Sequence, residues 1–404
     1  MSNVNVQHLQ TQHLFILVGA NPLPNYVAAK LLLKSGEHQF SDHLSNGHLY
    51  LVHTSETGAI ADRLITALKL ELQKTATKIL VDEANTKDTV EEVKKYVEGK
   101  QDVGLNYTGG TKTMAVHAYQ AVKEACPGAV FSYLDAKTLS LFIEKNGQNR
   151  NISVARALHL SLPDMLSLHG YSLPRDVRKV PVQPEICTAL ANVHSKADAF
   201  KQWREWCGEK EQELPDPSRY ALLEVVINAF HRLGNGSATP TLVAQALNPE
   251  WTSLEQCRKW FLGDWLEEYV LWACIQAKCK DKNLFDDFGI NLQPRIPEKR
   301  AFQFDVAIMR GYQLFAISCI ASEKKEKCKE HLFEAYIRAR QMGGEEARVG
   351  LVCCAPESNP NSSPAVIQTE IEESWDAQGK VRVFGAEHLP NLPEHLQDWF
   401  NSQP

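Results

Sequence analysis

Residues 102–119, DVGLNYTGGTKTMAVHAY, decide the fold of the N-terminal part of the chain. A short apolar run is followed by Gly109 and Gly110, and then by a segment whose apolar residues recur at helical spacing. This order predicts a buried strand, a tight turn and a helix. A glycine pair at such a junction lets backbone N–H groups face an anion at the helix N-terminus, where Lys112 adds charge.

Outward from this stretch, residues 13–145 alternate apolar strand candidates with amphipathic helical patterns. Such alternation predicts a doubly wound α/β domain with right-handed crossovers. The strand candidates are 13–20, 47–54, 76–83, 102–108, 129–135 and 139–145, and the helical patterns are 26–35, 59–72, 89–97 and 114–125. The last two strand candidates are separated by residues 136–138 only, so we expect an antiparallel hairpin at one edge of the sheet.

Three small, polar loops follow the first, second and fourth strand candidates. Open α/β sheets bind ligands at the carboxyl ends of their strands, so these loops form a candidate binding site. Its candidate residues are Asn21, Pro22, Thr54, Ser55, Glu56, Thr57, Thr108, Gly109, Gly110, Thr111 and Lys112. The alternative is that the same residues serve only as tight turns and helix N-caps. Spacing alone leaves both interpretations open.

The length of 404 residues corresponds to two or three domains. The pattern predicts one α/β domain at 1–150, a largely helical connector at 151–255 and a second α/β domain at 256–404. Helical patterns in the connector lie at 190–212, 219–233, 240–247 and, running into the last domain, 253–279. In that domain a helix, two strands joined at 310–312, a helix from about 323 to 341, a buried strand at 347–355, and a final strand and short helix follow one another.

Composition excludes several classes of protein. A hydrophobic fraction of 44% and a charged fraction of 23% are those of a globular chain, and a net charge of −6 confines any nucleic-acid site to a local patch or a metal site. Ten cysteines without a CxxC pair indicate reduced thiols rather than a disulfide framework or a zinc site. The N-terminus lacks the features of a signal peptide, and no apolar run has the ~18 residues of a membrane span. We therefore expect a cytoplasmic protein without a membrane partner.

A second candidate site combines the helix at 264–277 with the strand that contains Asp305. Apolar residues flank Asp305 in FDVAI, 304–308, and a carboxylate there is costly unless it binds a cation or a hydrogen-bond donor. Glu267 and Glu268 lie beside the apolar face of the helix. A helix glutamate and a strand aspartate that meet at one point are the layout of a divalent-metal site for phosphodiester cleavage. The alternative is a pair of solvated glutamates and a strand-end aspartate.

Both ends of the chain resemble known domains. Residues 1–150 resemble the CARF domain, the Rossmann-like sensor of CRISPR-linked cyclic oligoadenylates, in LVGANPLPNY, VHTSET and LNYTGGTKTMAVHAY. Residues 263–355 resemble a PD-(D/E)xK nuclease domain in GDWLEEYV, FDVAIMRGYQLFAISC and HLFEAYIRARQMGGEEARVGLV. Together they resemble the CRISPR ancillary nucleases that join one CARF domain to one restriction-endonuclease-like domain. The stretch 150–215 has no counterpart in that resemblance.

This resemblance implies an α/β protein with an N-terminal Rossmann-like CARF domain, a helical connector and a C-terminal restriction-endonuclease-like α/β domain. It implies a homodimer that binds a cyclic oligoadenylate, such as cyclic tetra-adenylate, at the three loops of each copy. The activator would switch on a divalent-metal-dependent nuclease of type III CRISPR defence that cleaves DNA, RNA or both. The implied metal is Mg²⁺ or Mn²⁺ on Glu267 and Asp305, and the implied catalytic residues are Glu267, Asp305, Ser318, Lys329 and Glu334.

One departure from the family pattern concerns the strand that follows Asp305. The superfamily motif continues as (D/E)-x-K, but Ser318 stands where the acid is expected and Ile320 where the lysine is expected. Either catalysis has been lost, or the missing charges come from the helix at 327–340, whose charged residues could also be a solvated face. Three hypotheses therefore stay open: an activated nuclease, a sensor with a degenerate nuclease-like domain that acts as a binding module, and a CARF domain that cleaves its own ring ligand with threonines and Lys112.

Overall fold

The structure is a computed structural model, and it describes residues 7–34, 47–70, 74–209, 213–296 and 302–404. Three predicted helices, 26–35, 59–72 and 190–212, end outside these ranges, at residue 35, at residues 71–72 and at residues 210–212. The strands are β1 (His13–Leu17), β2 (His48–His53), β3 (Ala76–Leu80), β4 (Val103–Asn106), β5 (Val130–Asp135), β6 (Ser140–Lys145), β7 (Gln148–Ser153), β8 (Asp287–Leu292), β9 (Phe304–Arg310), β10 (Gln313–Ile320), β11 (Arg348–Cys353) and β12 (Val381–Phe384). The helices are α1 (Leu23–Leu32), α2 (Gly58–Ala67), α3 (Thr86–Val97), α4 (Lys112–Ala125), α5 (Leu162–Leu168), α6 (Pro184–His194), α7 (Ala197–Cys207), α8 (Glu224–Leu233), α9 (Pro240–Leu247), α10 (Leu254–Lys259), α11 (Trp265–Lys280), α12 (Lys325–Gly343), α13 (Pro364–Trp375) and α14 (Leu392–Asn401).

The N-terminal sheet has the strand order β3-β2-β1-β4-β5-β6-β7. Strands β1 to β5 are parallel, and β1 has β2 on one side and β4 on the other. Helices α1 and α2 pack on one face of the sheet, and α3 and α4 pack on the other. The doubly wound prediction is confirmed, and the switch point of the winding lies between β1 and β4.

The hairpin predicted at the sheet edge is confirmed as β5 and β6, and a third antiparallel strand, β7, extends it. Most side chains of β7 are polar and exposed, so this strand has no apolar alternation by which it could be predicted. Its signal was the turn before it, because Asn146 and Gly147 both have positive φ, as a two-residue hairpin turn requires.

The C-terminal sheet has the order β12-β11-β10-β9-β8. Strands β8, β9 and β10 are antiparallel, whereas β10, β11 and β12 are parallel. The predicted hairpin at 310–312 is confirmed as the turn between β9 and β10. Helices α11 and α14 cover one face and helices α12 and α13 the other. Strand β8 and helix α13 were not predicted, although Ile367, Ile371 and Trp375 of α13 recur at helical spacing.

The connector contributes helices to the core of the C-terminal half. The predicted helix 190–212 is two helices, α6 and α7, which are separated at Ser195 and Lys196. Helices α6 to α10 share one apolar cluster with α11 and the C-terminal sheet. Between α10 and α11 the helix widens into a π-helical turn, Trp260–Asp264. The domain boundaries stay predictions.

Helix α5, which was not predicted, lies between the two halves. Arg63 of α2 donates a hydrogen bond to the Leu168 carbonyl oxygen at 2.9 Å. At the other end of α5, the Leu162 backbone N–H donates to the Asp287 carboxylate at 2.8 Å. These bonds tie the N-terminal domain to strand β8. Within the described ranges, no helix combines the length and the apolar composition needed to cross a bilayer.

Candidate functional site

The three predicted loops lie side by side, because β2, β1 and β4 are adjacent parallel strands. The first and third loops are in close contact: a Cβ on Gly109 would lie 2.2 Å from the Leu17 carbonyl oxygen and 2.9 Å from the Gly19 nitrogen. No side chain fits there, so glycine at position 109 allows the two loops to meet at the switch point of the sheet.

A buried amide that the sequence argument missed fastens the first loop. Asn25 of α1 is fully buried; its Nδ2 donates to the Leu17 carbonyl oxygen at 2.8 Å, and its Oδ1 accepts a longer bond from Gly19 N–H at 3.4 Å. Its signal was a polar residue inside the otherwise apolar pattern of α1. Asn25 positions the loop, because a buried amide is stable only with its hydrogen bonds made.

The first two residues of the candidate set differ in their surroundings. Pro22 is buried at the N-cap of α1 and offers no side-chain donor. Asn21 is half-buried, and its Oδ1 accepts a hydrogen bond from Leu23 N–H at 3.0 Å. Its Nδ2 lies against Gly344, which is in the C-terminal half of the chain. Asn21 therefore belongs to the loop cluster and to the contact between the two halves.

The second loop presents two of its four candidate side chains to solvent. Thr54 is buried, and its backbone N–H donates to the Thr57 hydroxyl at 3.0 Å, which closes the turn. Ser55 and Glu56 are exposed between them. These two side chains are free to contact a ligand, whereas the two threonines shape the loop.

The third loop divides its residues in the same way. The Thr108 hydroxyl accepts a hydrogen bond from Leu134 N–H of β5 at 2.8 Å, and Thr111 caps α4 by accepting from Met114 N–H at 3.2 Å. Gly110 and Lys112 are exposed at the start of α4. The helix N-terminus and the Lys112 ammonium together can bind an anion.

The second candidate site contains two half-buried carboxylates. Glu267 lies in the first turn of α11, and Asp305 is the second residue of β9. Burial, reinforced by the charges of Asp305 and Asp264, raises the pKa of Glu267 to about 8, although Lys259 opposes the shift. Burial also raises the pKa of Asp305. The two carboxylates therefore lie within electrostatic reach and disfavour each other's charge.

Ser318 holds the Asp305 carboxylate. Because Val306 pairs with Ile317 in the antiparallel register, Asp305 faces Ser318 across the two strands. Oδ2 of Asp305 accepts hydrogen bonds from the Ser318 hydroxyl at 3.0 Å and from Cys319 N–H at 2.9 Å. Both bonds favour the ionised form of Asp305 and partly offset the effect of burial on its pKa. Ser318 thus orients the carboxylate without adding charge.

The donor set fits a hard divalent cation that is held by two carboxylates. Mg²⁺ prefers oxygen ligands, and one or two carboxylates with water and phosphate oxygens commonly complete its shell. Within the described ranges, no hydrogen bond is made to the Glu267 carboxylate, and no group of three or more metal-ligating side chains is present. Any cation bound here would therefore depend on Glu267 and Asp305.

The two helix residues named as catalytic candidates lie on α12, but the structure shows no contact between them and Asp305. Lys329 forms an ion pair with Glu370 of α13 at 3.0 Å, and Glu334 is exposed. The α12 residue whose charge lowers the pKa of Asp305 is His331, which the sequence argument did not single out.

The comparisons with known proteins agree with the N-terminal fold. Residues 17–161 match the family model of the Card1 CARF domain. The predicted Rossmann-like CARF fold is thereby confirmed. The match ends at residue 161, so the nuclease assignment of the C-terminal half stays a prediction. A sequence comparison with curated proteins found no match.

Two solved structures share the fold along nearly the whole chain. Protein VC1899 from Vibrio cholerae superposes with a TM-score of 0.69 at 16% identity, over 96% of this chain and 98% of that one. Can2 from Sulfobacillus thermosulfidooxidans, solved in complex with cyclic tetra-adenylate, superposes with a TM-score of 0.68 at 15% identity, over 98% of this chain and 99% of that one. At these identities the likeness shows that the fold is shared, from the N-terminal sheet through the connector to the C-terminal sheet.

Proposed function

We propose that this chain is a cyclic-oligoadenylate-activated, divalent-metal-dependent nuclease of type III CRISPR defence, which cleaves DNA, RNA or both. The observation that carries the proposal is the pair of half-buried carboxylates, Glu267 and Asp305, each with a raised pKa. Repulsion between two such groups is relieved by a bound cation. The match of residues 17–161 to a CARF family model supports control by a cyclic oligoadenylate.

The activator site would be formed by the three loops of two copies of the chain. A ring with two-fold symmetry suits a cleft made of two identical sets of loops, so we propose a homodimer. The Can2 structure holds cyclic tetra-adenylate on the same fold, which favours that ring here. Lys112 and the α4 N-terminus would bind its phosphates. Val116, Tyr133 and Phe142 are exposed apolar residues of the same domain that a second copy would cover.

The cleavage site would be formed by the residues around Asp305. A cation held by Glu267 and Asp305 would supply Lewis acidity and an activated water. Ser318 holds the Asp305 carboxylate, and Glu267 lies in the first helical turn after the π-helical turn Trp260–Asp264. The positive charge that Ile320 cannot supply would come from α12, from His331 or from Lys329 after release from Glu370, and Glu334 would supply the missing acid.

A second candidate is a cyclic-oligoadenylate sensor whose C-terminal domain binds a partner without cleaving it. The observation in its favour is the replacement of the family acid and lysine by Ser318 and Ile320. Serine and isoleucine bring no charge to a phosphate or a cation, so the electrostatic part of catalysis would be weakened.

The deciding experiment incubates the protein with single-stranded RNA, single-stranded DNA and supercoiled plasmid. Each substrate is tested with Mn²⁺, with Mg²⁺ and with EDTA, and with and without cyclic tetra-adenylate. We expect cleavage that requires both the metal and the ring, and light scattering should show a dimer. If calorimetry shows that the ring binds but no substrate is cut with either metal, the nuclease proposal falls and the sensor remains.

A further inference from the structure

Helix α12 extends from the predicted activator loops to the strand next to the one that contains Asp305. It has 19 residues, and at about 1.5 Å per residue it is roughly 28 Å long. Its C-terminal end contacts the first loop of the N-terminal domain, and its N-terminal half packs beside β10 and β11. One helix therefore extends from the first loop to β10, whose Ser318 hydroxyl holds the Asp305 carboxylate.

The contact at the C-terminal end is made by Gly344, the C-cap residue of α12. Its φ of 65° and ψ of −152° are accessible to glycine almost alone. A Cβ at this position would lie 2.2 Å from Nδ2 of Asn21 and 2.6 Å from Oε2 of Glu346. The end of α12 is thus clamped between a side chain of the activator loop and a carboxylate of its own half.

The junction around this clamp contains buried polar groups without full partners. Glu346 is only 2% exposed, and burial raises its pKa to about 7, although the charges of Arg348 and Lys380 oppose the shift. Within the described ranges, the Tyr312 hydroxyl and Oε1 of Gln313 are buried without a hydrogen bond. Leaving such groups without a partner costs free energy in this packing, so a rearrangement that pairs them recovers part of that cost. Such a junction can rearrange at a small cost in free energy.

At its other end α12 faces the strand that contains Asp305. The positive charge of His331 favours the ionised form of Asp305. Two turns later, the Arg338 guanidinium lies over the ring of Phe302 at 4.9 Å, immediately before β9. A shift of α12 therefore changes the distance between His331 and the carboxylate pair.

We propose that α12 transmits activator binding to the carboxylate site. A ring that takes hydrogen bonds from the Asn21 amide draws Nδ2 away from Gly344, which frees the C-terminal end of α12 to move and repositions His331 relative to Asp305. The two contacts of Asn21 compete, so ring binding and helix position are linked free energies. This inference rests on the proposed function, because it assumes that the ring binds at the Asn21 loop.

The test measures hydrogen–deuterium exchange of the full chain by mass spectrometry, with and without cyclic tetra-adenylate. Calorimetry measures ring binding separately. The key variant is Gly344→Ala, whose methyl group would push Asn21 and Glu346 apart from the helix end. The matched control is Gly379→Ala, because Gly379 has a φ of 73° and a Cβ there would meet nothing within 4 Å. Both variants add a methyl group to a glycine of positive φ, and only the first meets the clamp.

In the wild type and in Gly379→Ala, we expect the ring to change exchange in peptides covering 325–346 by roughly fivefold or more, the lower end of typical allosteric couplings. In Gly344→Ala the ring should still bind, but the change at 325–346 should be lost. Ring binding without any change at 325–346 in the wild type would overturn the α12 link and leave the proposed function standing. A Gly344→Ala protein that responds as the wild type does would overturn it as well.

A second variant covers the case in which Gly344→Ala does not fold. Glu346→Gln keeps the shape of the side chain and removes its charge, and we expect it to reduce the exchange change at least twofold. If the ring changes exchange at 325–346 in Glu346→Gln as much as in the wild type, the junction at Glu346 does not take part in the link. If calorimetry shows no ring binding to the wild type, the proposed function fails, and the α12 link fails with it.

Discussion

The two candidate sites of this molecule are built from different material. The N-terminal site depends on backbone conformation. Glycine allows two loops to meet, and side chains such as Thr108 and Asn25 form hydrogen bonds with backbone groups. The C-terminal site is made by charge: Glu267 and Asp305 are half-buried and repel each other. The first site has its hydrogen bonds made without a ligand, whereas the second is stabilised by a proton or a cation that reduces the repulsion between its carboxylates.

This difference explains how clearly each site could be recognised. A backbone site needs glycine, threonine and lysine at fixed local positions, so it leaves a motif in the sequence. A charge site needs two carboxylates from distant segments, 38 positions apart for Glu267 and Asp305, so the sequence offers it only beside the alternative of solvated glutamates and a strand-end aspartate. The predictions below set the charge site against the backbone site.

The largest effect should come from removing one charge of the carboxylate pair. Asp305→Asn keeps the shape, so it isolates electrostatics, and we expect metal-dependent cleavage to fall by about a hundredfold or more. Ring binding measured by calorimetry should be unchanged. The control is Asp198→Asn, an exposed acid of α7. Cleavage by Asp305→Asn at the wild-type rate would remove Asp305 from the site.

Restoring the family motif tests whether the charges missing at Ser318 and Ile320 come from α12. Ser318→Glu with Ile320→Lys would place a third carboxylate beside Asp305 and a lysine two residues later. If α12 already supplies the missing charges, we expect the double variant to lose about tenfold or more in cleavage, because like charges crowd the site. Cleavage assays with Mn²⁺ measure this. A gain of activity over an inactive parent would instead show a degenerate site.

The N-terminal site should be disrupted by a steric clash rather than by a change of charge. Gly109→Ala places a methyl group against the Leu17 carbonyl, and overpacking of this kind costs about 1–3 kcal/mol. We expect a lower thermal midpoint and weaker ring binding. Gly128→Ala is the control, since a Cβ there meets nothing within 4 Å. Equal stability of the two variants would contradict the close contact of the loops.

Lys112→Ala should affect the ligand and leave the fold unchanged. A charge-assisted phosphate contact contributes about 1.5–3 kcal/mol, so the dissociation constant of cyclic tetra-adenylate should rise about tenfold or more. Lys95→Ala, at an exposed position of α3, is the control for net charge. Unchanged affinity of Lys112→Ala in calorimetry would rule out the anion site at the start of α4.

The smallest effect concerns the pH dependence of stability without metal. The pKa of Glu267 is about 8 in the folded protein and near its ordinary value of 4.5 in the unfolded chain, so the folded state binds more protons between these values. Stability should therefore fall as pH rises from about 5 to 8. In EDTA, Glu267→Gln should melt a few degrees above the wild type at pH 8.5, with a smaller difference at pH 5.5. A difference that does not depend on pH would contradict the raised pKa.

Local pattern was sufficient for most of the N-terminal domain. Strands β1 to β6 and helices α1 to α4 lie where the apolar periodicities predicted them, because each element buries a face that its own residues specify. Three of the elements that were missed, β7, β8 and α5, are short, whereas α13 has 12 residues. They form because a neighbour supplies their hydrogen bonds or their apolar partner, as β6 does for β7.

The sequence by itself therefore determined the winding of the first sheet and the loop residues at its switch point, since glycine and capping residues act within a few positions of one another. Only the tertiary structure decided that Glu267 and Asp305 come within electrostatic reach of each other, that Ser318 holds the Asp305 carboxylate and that Lys329 pairs with Glu370. It alone brought Asn21 to Gly344, 323 positions along the chain. Contacts between distant segments depend on how sheets and helices pack, and no local spacing in the sequence encodes that packing.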